Sequence, residues 1–387
     1  MDLLSAQDWT FPVPITYGPG RVAEIGAIAI RAGMTNPLVV TDQGSRDLPF
    51  IAEIQGHLRA AGLSSGLHAK IAPNPRDEEI AKGRALYRQG GHDGIIAVGG
   101  GSGMDGAKAI TLTVNNDQPL ETFEYRNTPA QLTATDFPPL ITVPTTAGTG
   151  AETESTAMIT DTARGMKFCF WHPECKPACA LLDPGLTVGL PRNLTAWTGM
   201  DALVHAIEAY LVPDFHPLCD GAALEGLRLI RRHLPRAVEA PDDMEARGAM
   251  LVGSSLAGIA FLKGLGLVHA ISHMVGAEFD THHGLTNAVL LPSVMRFNEP
   301  AMGDKVLPLA DAMGLEDRTF NGIYADICGL CDQLEIPVTL ADLGVTPDRV
   351  NGLADKAAED IAAETNVRIA TIPELRTLIE TGLSHGR

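Results

Sequence analysis

Residues 95–108 read IIAVGGGSGMDGAK, an apolar run that leads into three glycines, a serine and then a helical pattern. Glycine lets a backbone approach a pyrophosphate closely, and the unpaired N–H groups at a helix amino terminus attract anions. The stretch therefore predicts a strand, a phosphate-binding turn and a helix. The alternative is a tight strand-to-helix turn in which glycine serves packing alone.

Apolar runs typical of strands alternate with amphipathic runs typical of helices on both sides of this stretch. Such alternation predicts β-α-β units, a parallel sheet and ligand binding at the carboxyl ends of its strands. The predicted strands are 37–41, 94–98, 139–143 and 178–182, and the predicted helices are 49–61, 77–89 and 105–113.

From about residue 188 onward the pattern changes to helical spacing, with no convincing alternation of period two. We therefore predict an α/β plus all-α chain, with a Rossmann-like domain over residues 1–187 and an all-helical domain over residues 188–387. The clearest predicted helices of the second domain are 194–211, 220–233, 243–260 and 304–313.

The chain has 387 residues, enough for two domains, and a formal net charge of −18. An acidic chain repels nucleic-acid phosphates and anionic membranes, so neither is expected as a partner. Its six cysteines are too few for the disulfide framework of a small secreted domain. The amino terminus lacks the pattern of a signal peptide, and no apolar stretch of about 20 residues occurs. We expect a cytoplasmic protein.

Two further features of the first half fit a dinucleotide. Asp42 ends the run LVVTD, where a carboxylate accepts hydrogen bonds from a ribose 2′-hydroxyl and repels a 2′-phosphate. This favours NAD over NADP, with a helix or turn cap as the alternative. Residues 143–152, VPTTAGTGAE, form a hydroxyl-rich loop after a strand, and the donors to phosphate or cofactor amide oxygens would be Thr145, Thr146 and Thr149. Helix capping is again the alternative.

Histidines cluster in the helical half. Asp201 and His205 are four residues apart, on one face of a helix, and residues 266–285 supply His269, His273, His282 and His283. One carboxylate and three imidazoles suit Fe²⁺, Zn²⁺, Co²⁺ or Mn²⁺ and leave coordination positions for a substrate. The absence of a thiolate from this set argues against a structural zinc site. The alternative is a group of separately satisfied core histidines.

Taken together, these motifs resemble the iron-containing, or group III, alcohol dehydrogenases. The similar segments are VGGGSGMDGAK, VPTTAGTGAE, the Asp201–His205 pair and GLVHAISHMVGAEFDTHHGLTNAVLLPSVMRFN at 266–298. The resemblance extends from FPVPITYGPGRV at 11–22 to LEIPVTLADLGV at 334–345. It implies an amino-terminal Rossmann-like NAD-binding domain, a carboxyl-terminal helical metal-binding domain and a homodimer or higher homo-oligomer.

The resemblance also implies the metal ligands, which are Asp201, His205, His269 and His283. His283 is chosen over its neighbour His282 because it lies 14 residues after His269, the spacing that the family pattern requires. Glu208, near the Asp201–His205 pair, is interpreted as a solvated or salt-bridged helix residue, with support of a metal ligand as the alternative. Cys328 and Cys331 are interpreted as packing residues.

His273 resembles a histidine close to the nicotinamide and the substrate. It is our candidate catalytic residue, either a proton relay or a substrate orienter, with a packing role as the alternative. Gly100, Gly101 and Ser102 resemble the pyrophosphate loop, and Asn74 is similar to a position near the adenosine end. With Asp42, the remaining cofactor-binding candidates are Asp105, Thr145, Thr146, Thr149 and Lys167.

The implied activity is hydride transfer between NAD(H) and a small primary or secondary alcohol or aldehyde, polarised by one Fe²⁺ or, alternatively, one Zn²⁺. A dehydroquinate-synthase-like lyase that uses NAD and a metal is one alternative. Residues 264–287 contain no Lys or Arg to hold its phosphorylated, carboxylated sugar, which counts against it. A metal-free reductase and a non-catalytic NAD- or metal-binding protein are the others.

Overall fold

The computed structural model describes residues 7–9 and 13–386. Predictions about residues 1–6, 10–12 and 387, which include most of the amino-terminal segment and the start of the motif at 11–22, lie outside the described residues. The chain divides into two compact units, Met1–Thr146 with Gly150–Leu190 and Ala147–Thr149 with Pro191–Arg387. The predicted domain boundary between residues 187 and 188 stays a prediction.

Seven strands form one sheet in the described part of the first unit, in the order β1-β2-β9-β6-β5-β3-β4. Neighbouring strands are parallel except for the antiparallel β1–β2 pair. A separate antiparallel hairpin contains β7 and β8. The strands are β1 Gln7–Trp9, β2 Ile15–Tyr17, β3 Pro37–Asp42, β4 Gly66–Ile71, β5 Gly94–Gly99, β6 Leu140–Pro144, β7 Thr156–Asp161, β8 Met166–Trp171 and β9 Cys179–Leu182.

Helices cover both faces of this sheet, which is why its central strands are largely apolar. Alternate residues of β5 pack into two different cores: Ile95 lies with Ile80 and Met104 on one side, and Ile96 lies with Ile54 on the other. The helices of this unit are α1 Ile25–Arg31, α2 Pro49–Ala60, α3 Asp77–Gly90 and α4 Gly101–Thr113. The arrangement is the predicted Rossmann-like α/β fold.

The four predicted strands of the first unit are confirmed, with shifts of at most one residue at an end. Strands β1, β2, β4, β7 and β8 were not predicted. Strand β4 reads GLHAKI and lies at the sheet edge, where Lys70 is exposed and interrupts the apolar run that would have indicated it.

The predicted start of helix α4 at residue 105 is wrong, because the helix begins at Gly101. Its first residues, GSGM, resemble a turn by composition. Their small size is needed inside the helix, since a Cβ on Gly103 would lie 3.1 Å from the backbone oxygen of Val98. The glycines therefore serve close helix–strand packing as well as the turn.

The described residues of the second unit contain helices and no strand, as predicted. The four predicted helices are confirmed, although α6 continues to Glu239 despite Pro235 in its last turns. The helices are α5 Arg192–Leu211, α6 Pro217–Glu239, α7 Met244–Ala260, α8 Leu267–Phe279, α9 His283–Met302, α10 Val306–Met313, α11 Phe320–Gln333, α12 Val350–Ala357, α13 Ile361–Thr365 and α14 Ile372–Ser384. Helix α5 packs against α6, α7 and α9, which makes it the central helix of this unit.

Among the described residues, no single helix combines the length and the apolar composition needed to cross a membrane. One pair of helical segments, residues 244–263 and 267–279, passes that test of length and composition only when taken together, and it is bent by 103° at its break.

Candidate metal centre

The centre is built on three helices of the second unit. Asp201 and His205 lie on consecutive turns of α5, His269 lies in the first turn of α8, and His283 is the first residue of α9. Asp201, His205 and His269 are at most 4% exposed, and His283 is partly exposed. His205 and His269 are 64 positions apart in the sequence, yet their side chains lie in the same buried region.

The four side chains point their ligand atoms at one another, all within 4.8 Å. Oδ1 of Asp201 is 4.0 Å from Nε2 of His205, 3.8 Å from Nε2 of His269 and 3.6 Å from Nε2 of His283. The rings of His205 and His269 are stacked, with centroids 4.5 Å apart. The structure therefore brings together the four residues that the resemblance implied as ligands.

Each imidazole has a partner on its other ring nitrogen. Nδ1 of His269 is 2.6 Å from Oε2 of Glu208, and Nδ1 of His205 is 3.2 Å from the backbone oxygen of Gly148. Nδ1 of His283 is 3.5 Å from the hydroxyl of Ser272. A partner on Nδ1 fixes the orientation of the ring and keeps Nε2 facing the group.

The interpretation of Glu208 as a solvated residue is wrong, because the side chain is buried and contacts His269. A sequence signal for this existed. Asp201, His205 and Glu208 are spaced i, i+4, i+7, which places all three on one face of α5. Because Glu208 shares a helix face with two candidate ligands, it could have been considered as a hydrogen-bond partner for another candidate ligand.

Asn287 was not singled out in the sequence, yet it lies within the group. Its Nδ2 donates to Oδ1 of Asp201 at 2.7 Å and is 3.1 Å from Nε2 of both His269 and His283. Asn287 is fully buried and lies one helical turn after His283. Its amide holds the Asp201 carboxylate in a defined orientation.

Burial controls the protonation of two of these imidazoles, those of His205 and His269. It lowers the pKa of His205 to about 4 and that of His269 to about 3, against the opposing effect of the Asp201 carboxylate. Both rings are therefore neutral at physiological pH, the form that binds cations. Burial also raises the pKa of Glu208 to about 7, while backbone N–H groups of Val268 and Gly266 oppose that rise.

The two remaining predicted histidines have different surroundings. Nδ1 of His273 is 2.8 Å from Oδ2 of Asp360, and the ring stacks on His283 with centroids 5.4 Å apart. Asp360 also accepts from the backbone N–H of Ala362 and so caps α13. His282 caps α9 through the backbone N–H of Leu285, and its ring packs on a tryptophan. His273 therefore borders the group, whereas His282 has a capping position.

The glycine turn of the first unit lies beside the ends of two neighbouring strands. A Cβ on Gly99 would be 2.8 Å from Oδ2 of Asp42, and a Cβ on Gly100 would be 3.2 Å from the side chain of Thr146. Gly100 caps α4, and Gly101 and Ser102 are its first residues. The predicted pyrophosphate loop, Asp42 and Thr146 thus lie together at the carboxyl ends of β3, β5 and β6.

The carboxylate of Asp42 accepts hydrogen bonds from the backbone N–H and the hydroxyl of Ser45, at 2.9 and 2.8 Å. The turn-capping alternative is therefore observed, and it also fixes the carboxylate at the strand end. Asp105 accepts from the backbone N–H of Met158 at 3.3 Å, a contact that joins α4 to β7.

The other cofactor candidates are placed as follows. Lys167, on β8, donates to Oδ1 of Asn74 at 2.6 Å, and Asn74 has a positive φ of 54°. Thr145 donates its backbone N–H to the oxygen of Gly99. Thr149 belongs to the segment 147–149, which is grouped with the second unit.

Comparison with known proteins gives the class. The iron-containing alcohol dehydrogenase family matches residues 12–184, and the C-terminal part of the Fe-containing alcohol dehydrogenase family matches residues 195–383. The chain therefore belongs to the iron-containing alcohol dehydrogenase family, a family of oxidoreductases.

Individual relatives are similar over almost the whole chain. The NAD-dependent methanol dehydrogenase of Bacillus methanolicus is 35% identical over 379 residues, which is 96% of this chain and 98% of that protein. The crystal structure of a 1,3-propanediol oxidoreductase has a TM-score of 0.89 and 33% identity, covering 98% of this chain and 100% of that one. A sulfoacetaldehyde reductase from Bifidobacterium kashiwanohense, solved in complex with NAD⁺, has a TM-score of 0.86 and 27% identity, covering 98% and 99%.

Proposed function

We propose that this chain transfers a hydride between NAD(H) and a small primary or secondary alcohol or aldehyde, as a homodimer or higher homo-oligomer. The reaction is proposed to need one divalent cation, Fe²⁺ or alternatively Zn²⁺. The observation that carries the proposal is the convergence of one carboxylate oxygen and three imidazole nitrogens within 4.8 Å of one another. Membership of an alcohol dehydrogenase family supports the reaction class and favours it over the lyase alternative.

Asp201, His205, His269 and His283 would hold the cation. Their ligand-atom separations of 3.6 to 4.0 Å from Asp201 are slightly wider than the about 3.4 Å between ligands of a tetrahedral ion. Neutral imidazoles with one carboxylate suit Fe²⁺ and Zn²⁺. When bound, such a cation supplies Lewis-acid polarisation of an alcohol or carbonyl oxygen. The chain itself orients the ligands, through Glu208, Gly148 and Asn287.

NAD is the proposed redox cofactor. Gly100, Gly101 and Ser102 would bind its pyrophosphate, because the backbone N–H groups at the start of α4 suit an anion. The NAD-dependent methanol dehydrogenase and the reductase solved with NAD⁺ are both similar over nearly all of this chain, which supports the proposal. The other proposed contacts are Asp42, Asn74, Asp105, Thr145, Thr146, Thr149 and Lys167.

Asp42→Gly is expected to lower the ratio of kcat/KM with NAD to kcat/KM with NADP by about tenfold or more, equivalent to about 1.4 kcal/mol. The carboxylate at the end of β3 would both bind a ribose hydroxyl and repel a 2′-phosphate. Steady-state kinetics with both cofactors measure the ratio. Asp47→Gly, at an exposed aspartate of the same loop, is the control and should leave the ratio unchanged. An unaltered ratio in the Asp42 variant would remove this residue from the account.

His273 is proposed to orient the substrate or relay its proton. Its Nδ1 is engaged by Asp360, so the ring would act through Nε2. His273→Ala is expected to lower kcat roughly 10²-fold, the lower range for a lost general acid or base, with cation stoichiometry unchanged. Turnover and elemental analysis of the same sample measure both quantities. Wild-type turnover in this variant would show that the ring only packs.

The proposed function is tested with the full-length protein stripped of metal by a chelator under anaerobic conditions. NADH absorbance is followed with a panel of short alcohols and aldehydes, before and after Fe²⁺ or Zn²⁺ is returned. We expect turnover to disappear on stripping and to return with the cation. Undiminished turnover in the stripped protein would contradict the requirement for a cation, and no turnover with any member of the panel would contradict the substrate class.

A further inference from the structure

Glu208 contacts both His269, a candidate metal ligand, and the backbone of the helix that carries it. The side chain lies on α5, about two turns after Asp201, and is 4% exposed. Its Oε1 accepts from the backbone N–H of Val268 at 2.8 Å, and its Oε2 accepts from that of Gly266 at 3.1 Å. Oε2 also lies 2.6 Å from Nδ1 of His269.

These contacts fix the carboxylate before any ligand binds. The backbone groups belong to the start of α8, the helix that carries His269, and backbone atoms cannot rotate away as side chains do. The carboxylate acts as an acceptor in this position, so Nδ1 of His269 carries the proton that it donates. Nε2 is then left with its lone pair, on the side that faces Asp201 at 3.8 Å.

We propose that Glu208 is a positioning residue that sets the affinity of this centre for its divalent cation by holding His269 in the binding tautomer and orientation. The inference rests on the proposed function. Removal of a partner of this type commonly lowers metal affinity by about 10- to 100-fold.

Glu208→Gln tests the proposal at nearly constant volume. Three N–H donors face the carboxylate, from Gly266, Val268 and His269. An amide has one acceptor oxygen, so in either orientation its NH₂ group faces a donor. With the amide oxygen in the position of Oε2, Nδ1 of His269 keeps an acceptor, but a neutral one, and the NH₂ group faces the N–H of Val268. In the reverse orientation the NH₂ group faces the imidazole itself. In both cases His269 loses its charged acceptor, and the affinity for Zn²⁺ is expected to fall by about 10- to 100-fold.

A matched control separates this effect from loss of helix capping. Oδ1 of Asn366 accepts from the backbone N–H of Leu267, in the same first turn of α8, and the remaining contacts of Asn366 are with Asn298 and Arg368. Asn366→Ala removes a cap from the same helix without replacing the partner of His269. It is expected to lower thermal stability and to change Zn²⁺ affinity by less than about threefold, equivalent to about 0.65 kcal/mol in binding free energy.

The experiment titrates the stripped full-length protein with Zn²⁺ against a chromophoric chelator, for wild type, Glu208→Gln, Asn366→Ala and Asp201→Ala. Weaker Zn²⁺ binding in Glu208→Gln, with near wild-type binding in Asn366→Ala, supports the proposal. Wild-type affinity in Glu208→Gln, or an equal loss in Asn366→Ala, overturns it while leaving the centre intact. Wild-type affinity in Asp201→Ala instead overturns both the positioning role and the proposed function.

A second measurement does not depend on the folding of a variant. Nitrogen-15 spectra of Zn²⁺-loaded wild-type protein report which ring nitrogen of each histidine carries a proton. We expect the proton of His269 on Nδ1, with the proton shift of a strong hydrogen bond to a carboxylate. A proton on Nε2 of His269 would overturn the proposal.

Discussion

His283→Ala is expected to lower kcat/KM for alcohol oxidation by about 10³-fold or more and to remove tight cation binding, while the affinity for NAD stays unchanged. Loss of Lewis-acid polarisation costs several kcal/mol of transition-state stabilisation, and each 1.4 kcal/mol corresponds to about tenfold in rate. The glycine turn lies in the other compact unit, so its geometry does not depend on this side chain. Turnover, bound cation and NAD affinity are measured on one preparation.

The neighbouring histidine is the matched control. His282 precedes His283 directly, but its Nδ1 accepts the backbone N–H of Leu285 and its ring packs on Trp197. His282→Ala is expected to lose about 1 kcal/mol of helix-capping stability and to keep its cation and its turnover. Loss of the cation in the His282 variant, with retention of the cation in the His283 variant, would show that His282 and not His283 is the ligand.

Gly284→Ala is expected to destabilise the protein and to weaken cation binding strongly, although it changes no ligand. A Cβ at this position would lie 2.3 Å from the backbone oxygen of Trp197 and 3.0 Å from Cβ of Asp201. The first of these contacts is with the backbone of α5, so rotation of a side chain cannot relieve it. Helix α9 must move away from α5, and this separates His283 from Asp201. Overpacking of this kind costs about 1–3 kcal/mol of unfolding free energy.

Gly329→Ala is the control for this substitution. Gly329 is an exposed residue inside α11, and an added Cβ there meets no atom within 4 Å. Alanine is favoured over glycine in helices by about 0.5–1 kcal/mol, so this variant is expected to be slightly more stable than the wild type. Denaturant unfolding and Zn²⁺ titration measure both variants. Equal stability and equal affinity in the two variants would contradict the close packing of α9 on α5.

Local patterns in the sequence predicted much of the fold. Strands β3, β5 and β6 are buried on both faces, so their apolar runs are continuous and distinct. The spacing of Asp201 and His205 also predicts a shared helix face without any tertiary information. Strand β4 escaped prediction because Lys70 is exposed at a sheet edge, and the start of α4 because its glycines resemble a turn.

The partners of the candidate ligands depend on tertiary structure. Glu208 and His269 are 61 residues apart, and His273 and Asp360 are 87 residues apart. Local periodicity in the sequence does not predict that the start of α8 packs against α5, or that the start of α13 packs against α8. Helix spacing could have drawn attention to Glu208, since it shares a face with two ligands. Nothing comparable marks Asp360, whose only local feature is its position before a short helix.

The account depends on a cation held between α5, α8 and α9, and anomalous diffraction tests this directly. Data collected on either side of the iron and zinc absorption edges, from crystals of anaerobically purified protein, locate and identify any such ion. We predict one anomalous peak per chain, bonded to Asp201, His205, His269 and His283 at about 2.0–2.2 Å. Crystals grown with either metal in excess that show no peak among these four side chains would contradict the central claim.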